Sequence, residues 1–272
     1  MKTSKTLILA LFLILAVFPL VLYAQQLSPT YLKAVDLAGQ GNFPEAKKIF
    51  QEIVAAEPAH ERAGRCLQII ADLEQHKIST RTAAYLFQGL SYFYRDKFQA
   101  AVGATDLAVQ LNPNYSRTYS ARGGYYFALG QNKKALADYQ RALELDPKND
   151  GAYYNRGCLY LNTEEYERAI ANFNQAVKIN PKFASAFYNR GVAHFHKGEF
   201  LWALADFNRA LEINPNLLEA RMNLAVVLDE LGKDQEALAA YKKFLKSAPP
   251  ALNREISYAR RRLQMLEKKP EQ

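Results

Sequence analysis

The residues in this chain best suited to chemistry are few. Of its four histidines, His194 and His196 stand two apart in "HFH", which invites a metal reading. On a helix, side chains two residues apart point about 200° apart around the axis, so these two rings cannot share an ion. His194 is expected to pack in the core and His196 to fall on the other side. His60 and His76 have no partner pattern. Glu164 and Glu165 are adjacent, but "NTEEYE" reads as a solvated turn between helices rather than an acid–base pair. Cys66 and Cys158 lie far apart in sequence. They are expected to be small buried hydrophobes, with one disulfide as the alternative. No nucleophile elbow, phosphate loop, zinc spacing or HExxH occurs. The chain therefore points to no catalytic residue, no cofactor and no metal.

Amide chemistry is what remains. Asn155, Asn189 and Asn223 recur at a constant interval, preceded by Tyr154, Tyr188 and Met222. A carboxamide offers a donor and an acceptor together, so a regular row of them can hold the backbone of an extended peptide. Tyrosines beside such a row add rigid area with a polar tip. The row works only if the elements that carry it present one face.

The interval is 34 residues, and much of the chain keeps to it. Prolines fall at 113, 147, 181, 215 and 249, glycines at 89, 123, 157 and 191, and alanines at 101, 135, 169, 203 and 237. Aromatics fall at Tyr139, Phe173, Phe207 and Tyr241. A helical hairpin explains each place. Residues 184–217 carry Phe187, Gly191, His194 and Phe195 at helical spacing, a break at Gly198, and the spacing again at Leu204, Phe207, Ala210 and Leu211. Pro215 marks the stop. Gly191 and Ala203 fall where two helices touch, and Phe207 fills the space between them. One hairpin cannot bury its apolar face alone, so neighbours stack.

These residues resemble the tetratricopeptide repeat (TPR) family. Its pattern of aromatic, Gly, Tyr, then Ala, aromatic and Pro matches Tyr153, Gly157, Tyr160, Ala169, Phe173 and Pro181, and matches Tyr119, Gly123, Tyr126, Ala135, Tyr139 and Pro147 one unit earlier. The usual Leu is replaced by Arg122, Arg156 and Arg190, and by Gln88 in an earlier unit. The resemblance implies an all-α fold, a right-handed superhelix of stacked antiparallel helix hairpins. Five contiguous units are expected over 82–251 and an outlying TPR-like hairpin over 27–60. Between them, 61–81 is expected to be a helix from Ala63 to His76 plus a connector, with the first hairpin offset from the array. The resemblance also implies that the first helix of each hairpin lines a concave groove. Tyr154, Asn155, Tyr188, Asn189, Phe195, His196, Met222 and Asn223 are the expected partner groove, and the partner is a protein or peptide. The family's carboxylate clamp is not carried over, because Arg117 lacks its companion Lys.

The ends add a compartment. Lys2 and Lys5 precede an uncharged, apolar run from Leu7 to Tyr23, with Ala24 before Gln25. Residues 1–24 read as a signal peptide, or as an uncleaved anchor, since the run is long for a leader. Either way the rest of the chain is expected to be exported, periplasmic or envelope-associated. The net charge is +8, and residues 252–269 hold six Arg or Lys against two Glu. One basic end on a near-neutral array is no nucleic-acid signature. Residues 252–272 are expected to form a basic capping helix and tail, with Ile256, Leu263 and Leu266 on its apolar side. Its alternative role is contact with anionic lipid or an acidic partner. Two rivals to peptide binding stand: an envelope assembly factor working through that tail, and a glycan- or cell-wall-binding module using the groove tyrosines.

Overall fold

The computed structural model describes residues 28–268. The expected signal peptide or anchor, residues 1–24, lies outside them. The described chain is all-α, as the repeat pattern predicts, and it divides into two compact units after Thr163.

The first unit holds α1 (Pro29–Gly39), α2 (Phe43–Ala56), α3 (Glu61–Glu74), α4 (Thr80–Phe93), α5 (Phe98–Leu111), α6 (Ser116–Ala128), α7 (Asn132–Leu145) and α8 (Asp150–Asn162). The second holds α9 (Tyr166–Ile179), α10 (Ala184–His196), α11 (Phe200–Ile213), α12 (Leu218–Glu230), α13 (Asp234–Ser247) and α14 (Asn253–Glu267). Within each unit successive helices pack as hairpins: α4 on α5 and α6 on α7 in the first, α10 on α11 and α12 on α13 in the second.

The repeat residues do local work. Pro113, Pro147, Pro181 and Pro215 each follow a helix end by two residues and prevent its continuation. The turn inside a hairpin needs one left-handed residue. Gly130, Gly198 and Gly232 supply it with φ near +70°, whereas Asp96 (φ 56°) and Glu164 (φ 61°) supply it without glycine. The carboxylate of Glu164 thus belongs to a turn. Close approach explains the other glycines. A Cβ on Gly123 would lie 2.6 Å from Tyr139 Cε1, and one on Gly191 would lie 2.8 Å from Phe207 Cε1. Tyr139 and Phe207 are themselves fully buried, and each such ring contributes roughly 2–3 kcal/mol of apolar burial.

The front of the chain departs from the pattern. α3 starts at Glu61, two residues before the expected Ala63, because the His60 ring accepts the N–H of Ala63 and caps the first turn. Ser79 caps α4 in the same way, accepting from the Thr82 N–H, so Arg81 is helical and not connector. The first hairpin is inverted rather than merely offset. Gln88 donates to the Gly39 carbonyl at 2.9 Å, Ser91 to Asp36 at 2.7 Å, and the hydroxyls of Tyr94 and Tyr31 lie 3.3 Å apart. Rising numbers in α4 meet falling numbers in α1, so the two helices run antiparallel. One extra helix, α3, has reversed the direction of the chain between the hairpins. Tyr31, Phe50, Phe87, Cys66 and Ile70 form the shared core there.

The back of the chain keeps the pattern. α14 buries Tyr258, Ala259 and Leu266, with Ile256 and Leu263 half-buried. Ala259 stands 34 residues after Ala225, in the small-residue place of the repeat. The Arg262 guanidinium forks onto both oxygens of Asp229 at 2.7 Å each.

Candidate functional site

The first helices α8, α10 and α12 carry the expected groove residues. On α8, in the first unit, Tyr154 and Asn155 are half-buried, and Asn155 Nδ2 donates to the Ser120 carbonyl of α6 at 3.4 Å. On α12, in the second unit, Asn223 Nδ2 donates to the Tyr188 hydroxyl of α10 at 3.1 Å. Both bonds span 35 residues, so each amide reaches one hairpin back and ties two parallel first helices together. Asn223 retains 1 % exposure and Asn189 4 %. Tyr188, Met222 and Phe195 are buried with them. Asn223 Oδ1 has no hydrogen-bond partner, a costly state for a buried acceptor. The structure thus separates the expected residues into a buried wall (Tyr188, Asn189, Phe195, Met222 and Asn223) and half-buried groups (Tyr154, Asn155 and His196).

The two rings of "HFH" have different surroundings. His196 stacks on Tyr166 with centroids 5.2 Å apart and planes parallel to 1°. Burial holds its pKa below the ordinary value, while Glu164 pulls it partly back. His194 Nδ1 lies 2.6 Å from Glu199 Oε2, and its ring stacks on Trp202. Among the described residues no three His, Cys, Asp or Glu side chains are grouped to hold a metal ion. Cys66 and Cys158 form no disulfide; burial pushes the Cys66 thiol up to about 12.

Sequence reasoning missed the role of the arginines that replace the family's Leu. Arg122 forks onto Asp138 at 2.7 and 2.8 Å and reaches Asp106 at 2.7 Å. Arg190 forks onto Asp206 at 2.6 and 2.9 Å and reaches Asn174 at 2.7 Å. Each guanidinium therefore clamps the second helix of its own hairpin and that of the hairpin before. The hydrogen bond to Asp138 holds the Arg122 pKa above its ordinary value. The signal was legible: an acid or amide stands 16 residues to either side of each arginine. Arg156 joins the set through Gln140, at 3.1 Å. Arg117, the lone candidate for a clamp, is paired with Asp72 of α3 at 3.3 Å. Among the described residues no helix is long and apolar enough to cross a membrane.

Comparison with known proteins agrees with this geometry. A family described as TPR repeat matches residues 123–164 and 159–198, and families described as tetratricopeptide repeat match 184–217 and 203–251. No curated protein matches the chain. Among solved structures, PilF of Pseudomonas aeruginosa is similar with a TM-score of 0.61 at 20% identity, over 68% of this chain and 88% of that one. TTC0263, a thermophilic TPR protein of Thermus thermophilus, gives 0.55 at 23% identity, over 67% and 99%. PilW, described as a widely conserved type IV pilus biogenesis factor, gives 0.56 at 22% identity, over 61% and 77%. Likeness at these identities speaks for the fold. The family matches over residues 123–251, with the 34-residue period and the paired helices, show the chain to be a tetratricopeptide repeat protein.

Proposed function

We propose that this protein is a non-catalytic interaction scaffold that binds an extended segment of a protein partner along the first-helix face of its repeats, outside the cytoplasm. The observation that carries the reading is the asparagine recurring every 34 residues, of which Asn155 and Asn223 are each fixed by a bond one hairpin back. Such bonds set the wall in advance, so a partner does not have to order it on binding. Tyr154 and Asn155 in the first unit, and separately His196 in the second, then keep surface for contact. The compartment rests on the leader. PilW, a pilus biogenesis factor of the same fold, supports an envelope setting.

A crosslinking pull-down from the native envelope tests the groove. Tyr154→Ala/Asn155→Ala/His196→Ala is expected to lose the captured partner while keeping its helix signal. Asn189→Ala/Asn223→Ala is expected to lower thermal stability as well, because it opens the wall. Equal capture by wild type and the first variant would place binding elsewhere.

A second reading concerns α14. Arg254, Arg260, Arg261 and Met265 are exposed on it, a mixture suited to an anionic membrane surface. Co-sedimentation with anionic vesicles, lost on removing 252–272, is the outcome that reading requires.

A further inference from the structure

The helix that breaks the repeat does not behave as a linker. α3 buries Ala63, Cys66 and Ile70, with Leu67, Ile69 and Leu73 half-buried beside them, in the core it shares with the first hairpin and α4. Its other side reaches three successive first helices of the array. Arg62 lies over the Tyr94 ring just past the end of α4, 6.0 Å from its centroid. Asp72 pairs with Arg117 of α6 at 3.3 Å and accepts from the Tyr115 hydroxyl at 2.7 Å. Arg65 faces the Asp150 carboxylate of α8 at 3.3–3.4 Å, and a Cβ on Gly151 would lie 2.6 Å from its Nη1. By the register of the repeat, Tyr94, Arg117 and Gly151 stand at places of the partner-facing side.

α3 thus makes the contacts a bound helix would make. Its edge is charge-complementary to the array, with Arg65 on an acid and Asp72, two turns on, between Arg117 and Lys77. It is also a modest helix for a core element. Gly64 sits inside it with nothing within 4 Å of where a Cβ would be, which costs about 1 kcal/mol against alanine. A glycine inside a helix lowers the cost of opening that helix locally while the rest stays folded.

We propose that the partner-facing side of α4, α6 and α8 is a helix-receiving site that α3 fills in cis. An amphipathic partner helix, with a basic residue and an acidic one two turns later, takes it in trans by displacing α3. This rests on the groove reading above for the identity of the face, but its test involves no envelope partner. In cis, α3 closes this part of the face to any other segment.

The probe is a synthetic peptide of residues 60–79 with serine in place of its cysteine. The protein is the full chain carrying Cys158→Ser, so that Cys66 is its one thiol. Adding Arg65→Ala and Asp72→Ala is expected to speed Cys66 alkylation by at least about tenfold with helix content unchanged, a local opening eased by about 1.4 kcal/mol. The labelled peptide is expected to bind this variant saturably, and to bind the parent chain at least about tenfold more weakly. Unchanged alkylation, alkylation that rises only as helix content falls, or equal peptide binding to both chains would each overturn the proposal. Failure to bind a variant whose Cys66 has become reactive would do the same. Should the double variant not fold, Arg65→Ala alone carries the same comparison, since that pair is partly exposed.

Discussion

Two helices stand outside the plain hairpins, and they solve the problem of an open stack in different ways. α14 continues the beat. Its Ala259 takes the small-residue place, and its Arg262 forks onto the first helix of the unit before. α3 interrupts the beat. It adds one helix, reverses the chain, and sends its polar side across three first helices instead of one. A stack can be closed by supplying half of the next repeat or by folding a non-repeat over it. The first leaves the face of the array as it was; the second occupies it.

The deepest way to sharpen this contrast is through the glycines. Gly191→Val drives a branched side chain into Phe207 and is expected to cost about 3 kcal/mol, since overpacking at a close helix approach cannot relax. Gly64→Ala in α3 is expected to add about 0.5–1 kcal/mol, because no neighbour is near. Urea unfolding checks both, and a similar loss at the two sites would erase the distinction. Next comes the cap. Arg262→Ala leaves the Asp229 carboxylate, 7 % exposed, with little beyond the Tyr241 hydroxyl, and is expected to cost about 3 kcal/mol. Hydrogen exchange should show α14 released first.

Smaller effects follow at the front. Arg65→Ala is expected to cost about 1 kcal/mol or less in a thermal melt, because its pair is longer and Asp150 still accepts from the Gly151 N–H. A loss as large as that at Arg262 would mean that both ends are closed alike. The smallest expected effect is with pH. Burial raises the Asp72 carboxyl, but the bonds from Tyr115 and Lys77 and the Arg117 charge together bring it below its ordinary value. The stabilisation is therefore complete above the unfolded value near 4 and is lost as pH falls through the lowered folded value. The melting temperature should fall in that acid window in wild type, and Asp72→Asn should flatten the dependence.

The hairpins were legible because proline, glycine and small residues each answer a local steric demand, and such demands repeat with the chain. The Arg122 and Arg190 clamps were written in the same register but join residues 16 apart, a spacing with meaning only once helices pair. The burial of Asn223 was not readable, because its amide is held by the Tyr188 hydroxyl a hairpin away. Nothing in 61–81 announces where α3 sits. It has no repeated counterpart, and its partners at Tyr94, Arg117 and Asp150 come from three separate helices.

The arginine clamps bear on how such a chain can lengthen. Arg122 and Arg190 each take one partner from their own unit and one from the unit before, and the places at the two extremes are neutral, with Gln88 on the Gly39 carbonyl and Leu224 uncharged. A tandem duplication of an interior unit therefore copies a donor together with its acceptors. It strands no charge at the seam, and repeats can be gained or lost in whole units while the electrostatics stay closed.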